Sequence, residues 1–195
     1  MTATRNPSKN AFTKLQNEAI QFVMASHWTQ RRKTTVLPYI VHPIEVASFV
    51  GRLYPDNQDL VIAAYLHDVL EDTEATPESV SNRFGPRVLE LVEGVTAHGA
   101  KTTWREHRQG QMDKLKTSEP DVVRLKACDM LSNASSIGFD FELLFGSSDN
   151  TFDKFKGDAS DVRWYYRGAW TIIHSRLGNE PIVAELLRAI TRFRA

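Results

Sequence analysis

Cysteine and long apolar runs are both scarce in this sequence. Cys128 is the single cysteine among 195 residues, so no internal disulfide can form, and such usage is typical of a reducing compartment. No apolar run is long enough to span a bilayer, and residues 1–12 lack the apolar core of a secretory signal. The sequence therefore predicts a cytoplasmic protein without a membrane partner.

An excess of charge of either sign is also missing. Lys+Arg and Asp+Glu each number 24, which gives a formal net charge of +0. Global charge therefore favours neither nucleic acid nor a membrane surface as a partner, and any anionic ligand must be recognised by a local cluster. We expect a small-molecule partner and no nucleic acid; the composition does not indicate an oligomeric state.

Alternation of apolar and polar residues, which would indicate strands, is absent, whereas apolar residues recur at helical spacing. Apolar residues make up 42% of the chain, enough for the core of one domain. We predict an all-α fold, a compact single-domain helical bundle over residues 1–195. Gly138 is expected to end one helix, residues 139–160 to form a long loop, and Asp161 to begin the next helix.

The stretch LVIAAYLHDVLEDT at 60–73 carries polar groups on an otherwise apolar segment. As one continuous helix, it would place His67 over Glu71 and Asp68 over Asp72, because residues four apart are neighbours on a helix. Four such groups on a buried helix need a reason to be there. A metal ion and an attacking water would supply one.

Two further residues complete a candidate metal site with His67 and Asp68. His42 stands at a predicted helix start, and Asp129 interrupts the apolar run VVRLKACDMLSN, where an unpaired carboxylate would be costly. Two imidazoles and two carboxylates suit Mn, or alternatively Fe or Zn, better than Mg or Ca. Taken alone, His42 fits better as a satisfied helix-cap histidine, and His67-Asp68 fits equally well as a surface pair.

The spacing of these residues resembles the HD phosphohydrolase superfamily, in which a histidine is followed about 25 residues later by His-Asp and about 60 residues after that by an aspartate. A narrower resemblance, over residues 10–177, is to the hydrolase domain of the RelA/SpoT alarmone enzymes and to stand-alone short alarmone hydrolases. The motifs that carry it occur in this order: Arg32-Lys33, Tyr39-Ile40-Val41-His42-Pro43, LHDVLEDT at 66–73, FGPRV at 84–88, EGVT at 93–96 and KACDMLSN at 126–133.

This resemblance implies an HD-domain hydrolase that removes the 3′-pyrophosphate of guanosine tetra- or pentaphosphate with a Mn-activated water. The metal ligands it implies are His42, His67, Asp68 and Asp129. It implies that Glu71 and Asp72 orient or deprotonate the water and help to protonate the leaving group. A neighbouring cation would ease that proton removal. Without the adjacent ligands, these two carboxylates would fit equally well as the polar end of a helix.

The resemblance also implies residues that bind the nucleotide. Arg32 and Lys33 match a basic pair that contacts the nucleotide, although such a pair is otherwise typical of a solvated loop. Asn133 matches an asparagine that faces the sugar or phosphate. Lys101 and Tyr165 match, respectively, a phosphate-contacting lysine and a tyrosine of the nucleotide pocket.

The sequence departs from the family pattern around the nucleoside pocket. The segments concerned are TTVLPYIVHP at 34–43 and the Ala-His-Gly-Ala that follows EGVT. The sequence therefore leaves two alternatives for the base of the substrate: guanine, as in (p)ppGpp, or adenine, as in (p)ppApp. Two other functions also stay open: a different HD-superfamily nucleotidase, which would release orthophosphate, and a non-catalytic nucleotide-sensing module.

Overall fold

The computed structural model describes residues 7–32, 37–97, 103–143 and 159–192. Within these ranges the backbone is almost wholly helical, no strand is present, and one isolated bridge joins Arg31 to Pro38. The all-α prediction is confirmed. In chain order the helices are α1 (Pro7–Ser26), α2 (Val41–Leu53), α3 (Gln58–Leu66), α4 (Val69–Asp72), α5 (Pro77–Phe84), α6 (Pro86–Val95), α7 (Trp104–Thr117), α8 (Pro120–Leu143), α9 (Ala159–Leu177) and α10 (Pro181–Ile190).

Helix α3 lies at the centre of the bundle. It packs against α1, α2, α6 and α8, so nearly every side chain from Leu60 to Leu66 is buried. A helix covered on all sides has no polar face, which explains its uninterrupted apolar sequence. In the part of the chain that the structure describes, no helix has both the length and the apolar character needed to cross a membrane.

Local signals in the sequence explain where several helices begin. Pro86 and Pro181 occupy first-turn positions, which suit proline because the missing N–H has no helical partner there. Thr76 caps α5 and Thr103 caps α7, each in a reciprocal capping box. Gly85 joins α5 to α6 at a φ of 93°, a conformation that residues with a side chain rarely adopt.

The predicted continuous helix over 60–73 is broken at His67 and Asp68. These two residues form a turn between α3 and α4, and Asp68 has φ −103° and ψ −4°, outside the usual helical values. His67 Nδ1 donates to the carbonyl oxygen of Ala64, three residues earlier, at 2.9 Å. The single helix expected over 60–73 is therefore two helices, α3 and α4, although the Asp72 amide still donates to the Asp68 carbonyl oxygen at 3.0 Å.

The predicted helix end at Gly138 is also wrong, because α8 continues to Leu143. A glycine within a helix costs only about 1 kcal/mol relative to alanine, which packing of the rest of the helix can offset. Both ends of the loop expected over 139–160 are helical, since α8 reaches Leu143 and α9 begins at Ala159 rather than at Asp161. The expectation for residues 144–158 falls outside the described residues.

Candidate active site

Three helices bring the predicted ligands together in the middle of the bundle. His42 is the second residue of α2, His67 follows the last residue of α3, and Asp129 lies within α8. Their exposed fractions are only 2%, 3% and 6%, respectively. One ligand atom from each lies within 4.8 Å of the others, a group that can hold a metal ion.

Hydrogen bonds fix which nitrogen of each imidazole faces the cluster. His67 Nδ1 must donate to the Ala64 carbonyl oxygen, which leaves Nε2 without a proton in the neutral ring. Ser132 Oγ donates to Glu45 Oε2 at 2.5 Å, because a carboxylate only accepts. Ser132 therefore accepts from His42 Nδ1 at 2.9 Å, which leaves His42 Nε2 free of a proton as well.

The two Nε2 atoms face each other across 3.2 Å. Two lone pairs at this distance repel unless a proton or a cation lies between them. Asp129 Oδ1 is 3.2 Å from His42 Nε2 and 3.8 Å from His67 Nε2. Converging nitrogen and carboxylate donors of this kind fit a divalent transition-metal ion.

Asp68 lies beside this group, on its more exposed side. Its Oδ2 is 3.0 Å from His67 Nε2 and 3.5 Å from His42 Nε2. The same oxygen accepts a 2.5 Å hydrogen bond from Tyr39 Oη, and one-fifth of the Asp68 side chain is exposed. The structure thus brings all four predicted ligands together, with Asp68 at the solvent side.

Neighbouring charges hold both carboxylates ionised. Burial alone would raise the pKa of Asp129, but the Lys126 ammonium, 2.7 Å from Oδ2, and the adjacent imidazoles hold that pKa well below its usual range. Burial would lower the pKa of His67, yet Asp68 and Asp129 together raise it to about 9. Without a metal, protons and Lys126 thus supply the positive charge that the cluster needs.

Glu71 and Asp72 lie at the rim of the same site. Both are exposed, and both line the cavity that contains His42, Asp68 and Asp129. Glu71 Oε2 accepts a 3.2 Å hydrogen bond from the Ala97 amide, and Asp72 Oδ2 lies 3.4 Å from Tyr39 Oη. The carboxylates are therefore placed next to the cluster and open to water.

Residues 27–40 connect α1 to α2, and we call this segment the α1–α2 loop. Its side chains form hydrogen bonds both to this rim and to the rest of the site. Gln30 Nε2 donates to the Asp72 carbonyl oxygen at 2.7 Å, and Tyr39 reaches Asp68 as described. Arg32 Nη2 donates to Asn133 Oδ1 at 3.2 Å, and Asn133 Nδ2 donates to Asp129 Oδ1 at 2.6 Å. Residues 33–36 of the loop lie outside the described ranges.

The cavity has a volume of about 260 Å³ and is the natural place for a ligand. Of the predicted substrate-binding residues, Arg32, Asn133 and Tyr165 line it. Lys33 and Lys101 lie outside the described residues. The other lining residues are Tyr39, His42, Asp68, Glu71, Asp72, Trp104, Arg108, Gln111, Lys126, Asp129, Met130, Ser136, Ile137, Val162 and Tyr166.

Several of these contacts had no counterpart in the sequence-based prediction. Arg108 and Trp104 come from α7, whose polar sequence gave no motif. Ser132, on α8, contacts His42 and donates to Glu45, which lies on the same helix as His42. The sequence places Lys126 one turn before Asp129, a spacing that allows the ion pair now seen.

Comparison with known proteins agrees with this architecture. The family model described as "HD domain" matches residues 19–138, and the chain belongs to that family. A solved structure titled as a metazoan ortholog of SpoT that hydrolyzes ppGpp superposes with a TM-score of 0.72 at 24% identity, covering 91% of this chain and 94% of that one. The crystal structure of lmo0812 from Listeria monocytogenes gives 0.68 at 25% identity, covering 79% and 94%.

Relatives of known function match part of the chain. A guanosine-3′,5′-bis(diphosphate) 3′-pyrophosphohydrolase from Aquifex aeolicus is 41% identical over 122 residues, which is 61% of this chain. The enzyme of the same name from Haemophilus influenzae is 36% identical over 107 residues, or 52% of this chain. The matched regions are only 17% and 16% of those two proteins, so the chain is similar to one segment of much longer enzymes.

Proposed function

We propose that this chain hydrolyses the 3′-pyrophosphate of an alarmone nucleotide, (p)ppGpp or (p)ppApp, and releases pyrophosphate. The observation that carries the proposal is a single cavity lined by His42 and Asp129 of the metal cluster together with Glu71 and Asp72. The printed names of the Aquifex and Haemophilus relatives give the same reaction on the guanosine nucleotide. The proposed site of action is the cytoplasm.

His42, His67, Asp68 and Asp129 would hold one divalent ion, for which we propose Mn²⁺; Fe or Zn also suits these donors. Such an ion lowers the pKa of water and stabilises the charge that develops on phosphoryl oxygens. The hydrogen bonds from the two Nδ1 atoms to Ala64 and Ser132 orient the imidazoles toward it. Tyr39 holds the Asp68 carboxylate in place.

Glu71 and Asp72 are the groups that we propose to move protons. In the reaction a water oxygen bonds to the 3′-linked phosphorus, the bond from phosphorus to the 3′-oxygen breaks, and that oxygen gains a proton. Glu71 orients and deprotonates the water, and Asp72 helps to protonate the leaving oxygen. Their exposure on the cavity wall gives both access to solvent protons.

We propose that Arg32, Asn133 and Tyr165 bind the nucleotide. Arg32 is only partly buried and lies over the cavity, so its planar guanidinium can stack on a base. Asn133 lies between Arg32 and Asp129, a position from which it can reach the sugar or a phosphate. The nucleotide-binding roles of Lys33 and Lys101 remain predictions from the sequence.

A substrate panel tests the proposed reaction. Protein loaded with Mn²⁺ is incubated with ppGpp, pppGpp, ppApp and a nucleoside monophosphate, and the products are separated by chromatography. We expect pyrophosphate and a 5′-di- or triphosphate from at least one alarmone, and none from protein stripped with a chelator. Orthophosphate as the product would favour a nucleotidase, and tight binding without turnover would favour a sensor.

Ser132→Ala is expected to weaken Mn²⁺ binding by about 10- to 100-fold, the usual effect of removing a group that orients a ligating histidine. The variant loses the acceptor for His42 Nδ1 and the link to Glu45. Calorimetric titration of metal into chelator-stripped protein measures the change. Ser132→Thr, which keeps the hydroxyl, should restore most of the affinity.

Ser175→Ala is the matched control for this test. Its hydroxyl bonds to the Ile172 carbonyl oxygen on the exposed side of α9, away from the cluster. We expect this variant to bind Mn²⁺ as the wild type does. Unchanged metal affinity in the Ser132→Ala variant would show that the serine does not orient His42.

A further inference from the structure

Arg108 is a partly buried cation without a described counter-ion. Within the described ranges, its buried Nε–H has no hydrogen-bond acceptor, and no carboxylate lies at ion-pair distance from its guanidinium. Its Nη1 donates to the neutral Gln111 Oε1 at 2.7 Å. Arg87, Arg105 and Arg124, in contrast, each pair with a carboxylate.

Aromatic rings hold the Arg108 guanidinium in one position. Its Cζ lies 5.4 Å from the ring centroid of Trp104 and 4.9 Å from that of Tyr165. The two rings meet edge to face with centroids 6.2 Å apart, and Tyr165 Oη donates to Gln111 Oε1 at 3.1 Å. This arrangement fixes the cation before any ligand binds, which lowers the entropy cost of binding.

All four of these residues line the cavity that contains the metal cluster. A buried guanidinium N–H without an acceptor is unfavourable, and an anion bound at the guanidinium would supply acceptor oxygens. Lys126, which lines the same cavity, is already engaged by Asp129. Arg108 therefore lies in the cavity wall in a position to bind an anion. Among the described residues, it forms no ion pair with a carboxylate.

We propose that Arg108 binds a phosphate group of the substrate other than the phosphate under attack. The proposal rests on the proposed function, because it takes the ligand to be a nucleotide with several phosphates. Two phosphates share the required chemistry: the outer phosphate of the 3′-pyrophosphate and the 5′-diphosphate. The Trp104–Arg108–Tyr165 cluster would make the site selective for nucleotides that carry this second anion.

Binding measurements on Mn²⁺-loaded protein test this assignment without requiring turnover. The probes are inorganic pyrophosphate, GDP and guanosine, with ADP and adenosine as the alternative base. Arg108→Gln should lower the affinity for one anionic probe by about 10- to 100-fold, which is the scale of a charge-assisted hydrogen bond. Nucleoside binding should change by less than about twofold, because the nucleoside lacks the anion.

The pattern of loss distinguishes the two phosphates. If Arg108→Gln binds pyrophosphate more weakly but keeps the wild-type ratio of GDP to guanosine affinity, or of ADP to adenosine affinity, then Arg108 is assigned to the outer 3′-phosphate. Weaker binding of GDP or ADP with unchanged nucleoside binding assigns it to the 5′-diphosphate. Wild-type affinity of Arg108→Gln for every anion, or no anion binding by the wild type, would overturn the proposal.

Arg105→Gln is the matched control, because Arg105 lies on the same helix, stacks on Trp164 and is paired with Asp161. It should bind every probe as the wild type does. If Arg108→Gln fails to fold, Arg108→Lys tests the assignment instead, because lysine keeps the charge but loses the planar fork. This variant should bind one anion at least about threefold more weakly than the wild type. Unchanged affinity would overturn the assignment. Failure of the proposed function is separate: the wild type would then bind these anions but release no pyrophosphate from any alarmone.

Discussion

Asp129→Ala is expected to lose bound metal and hydrolysis together, with activity falling by about a thousandfold or more. Asp129 contributes the carboxylate oxygen closest to His42 Nε2, at 3.2 Å. A metal ion in such a site supplies several kcal/mol of transition-state stabilisation, and about 4 kcal/mol corresponds to a thousandfold in rate. Elemental analysis after dialysis and an assay of pyrophosphate release measure the two losses.

The same substitution should also destabilise the metal-free protein. Lys126 would keep a charged ammonium in a buried place after losing its 2.7 Å partner, a change that typically costs about 3–5 kcal/mol. Adding Lys126→Met should restore most of the free energy of unfolding without restoring the metal. Denaturant titrations of the single and double variants separate these effects.

Asp113→Ala serves as the control for Asp129→Ala, because Asp113 is an exposed carboxylate paired with Lys116 on α7. It should keep the metal, the activity and the stability of the wild type to within about 0.5 kcal/mol. An Asp129→Ala protein that retains Mn²⁺ and turns over substrate would show that the ion is bound elsewhere.

Glu71→Gln should keep the metal and lose turnover by about 100- to 10,000-fold, the usual contribution of general acid–base catalysis. Glutamine preserves the size of the side chain and an acceptor oxygen for the Ala97 amide, but it cannot take a proton from water. Metal titration should therefore match the wild type, while single-turnover release of pyrophosphate slows.

Glu74→Gln is the matched control for this prediction. Glu74 is exposed and lines a separate groove, with residues of α1 and α5, and not the cavity of the metal cluster. It should be as active as the wild type. Full activity of the Glu71→Gln protein would mean that the two carboxylates at 71 and 72 had been given the wrong roles.

The order of motifs predicts which side chains meet, although they are far apart in sequence. His42, His67-Asp68 and Asp129 belong to segments that helical periodicity locates, and the structure brings them together. The turn at His67 and Asp68 could not be predicted in the same way. A hydrophobic pattern reports burial, and Leu66 before the turn and Val69 after it are both buried.

The surroundings of the cluster are harder to predict, because they depend on tertiary contacts between residues without a motif. Ser132 and Glu45 are 87 positions apart, and Arg32 and Asn133 are 101 apart. The role proposed for Arg108 depends on the lack of a counter-ion within the described residues, which no local pattern can reveal. Polar helices such as α7 therefore give the least information from sequence alone.

The α1–α2 loop has a thermodynamic consequence. Through Tyr39 it contacts Asp68, through Gln30 it contacts Asp72, and through Arg32 it contacts Asn133, which itself bonds to Asp129. If the ion orders these carboxylates, it also orders the loop whose Arg32 is proposed to bind the nucleotide. Reciprocity then requires the nucleotide to raise the affinity for metal by the same factor by which the metal raises the affinity for nucleotide.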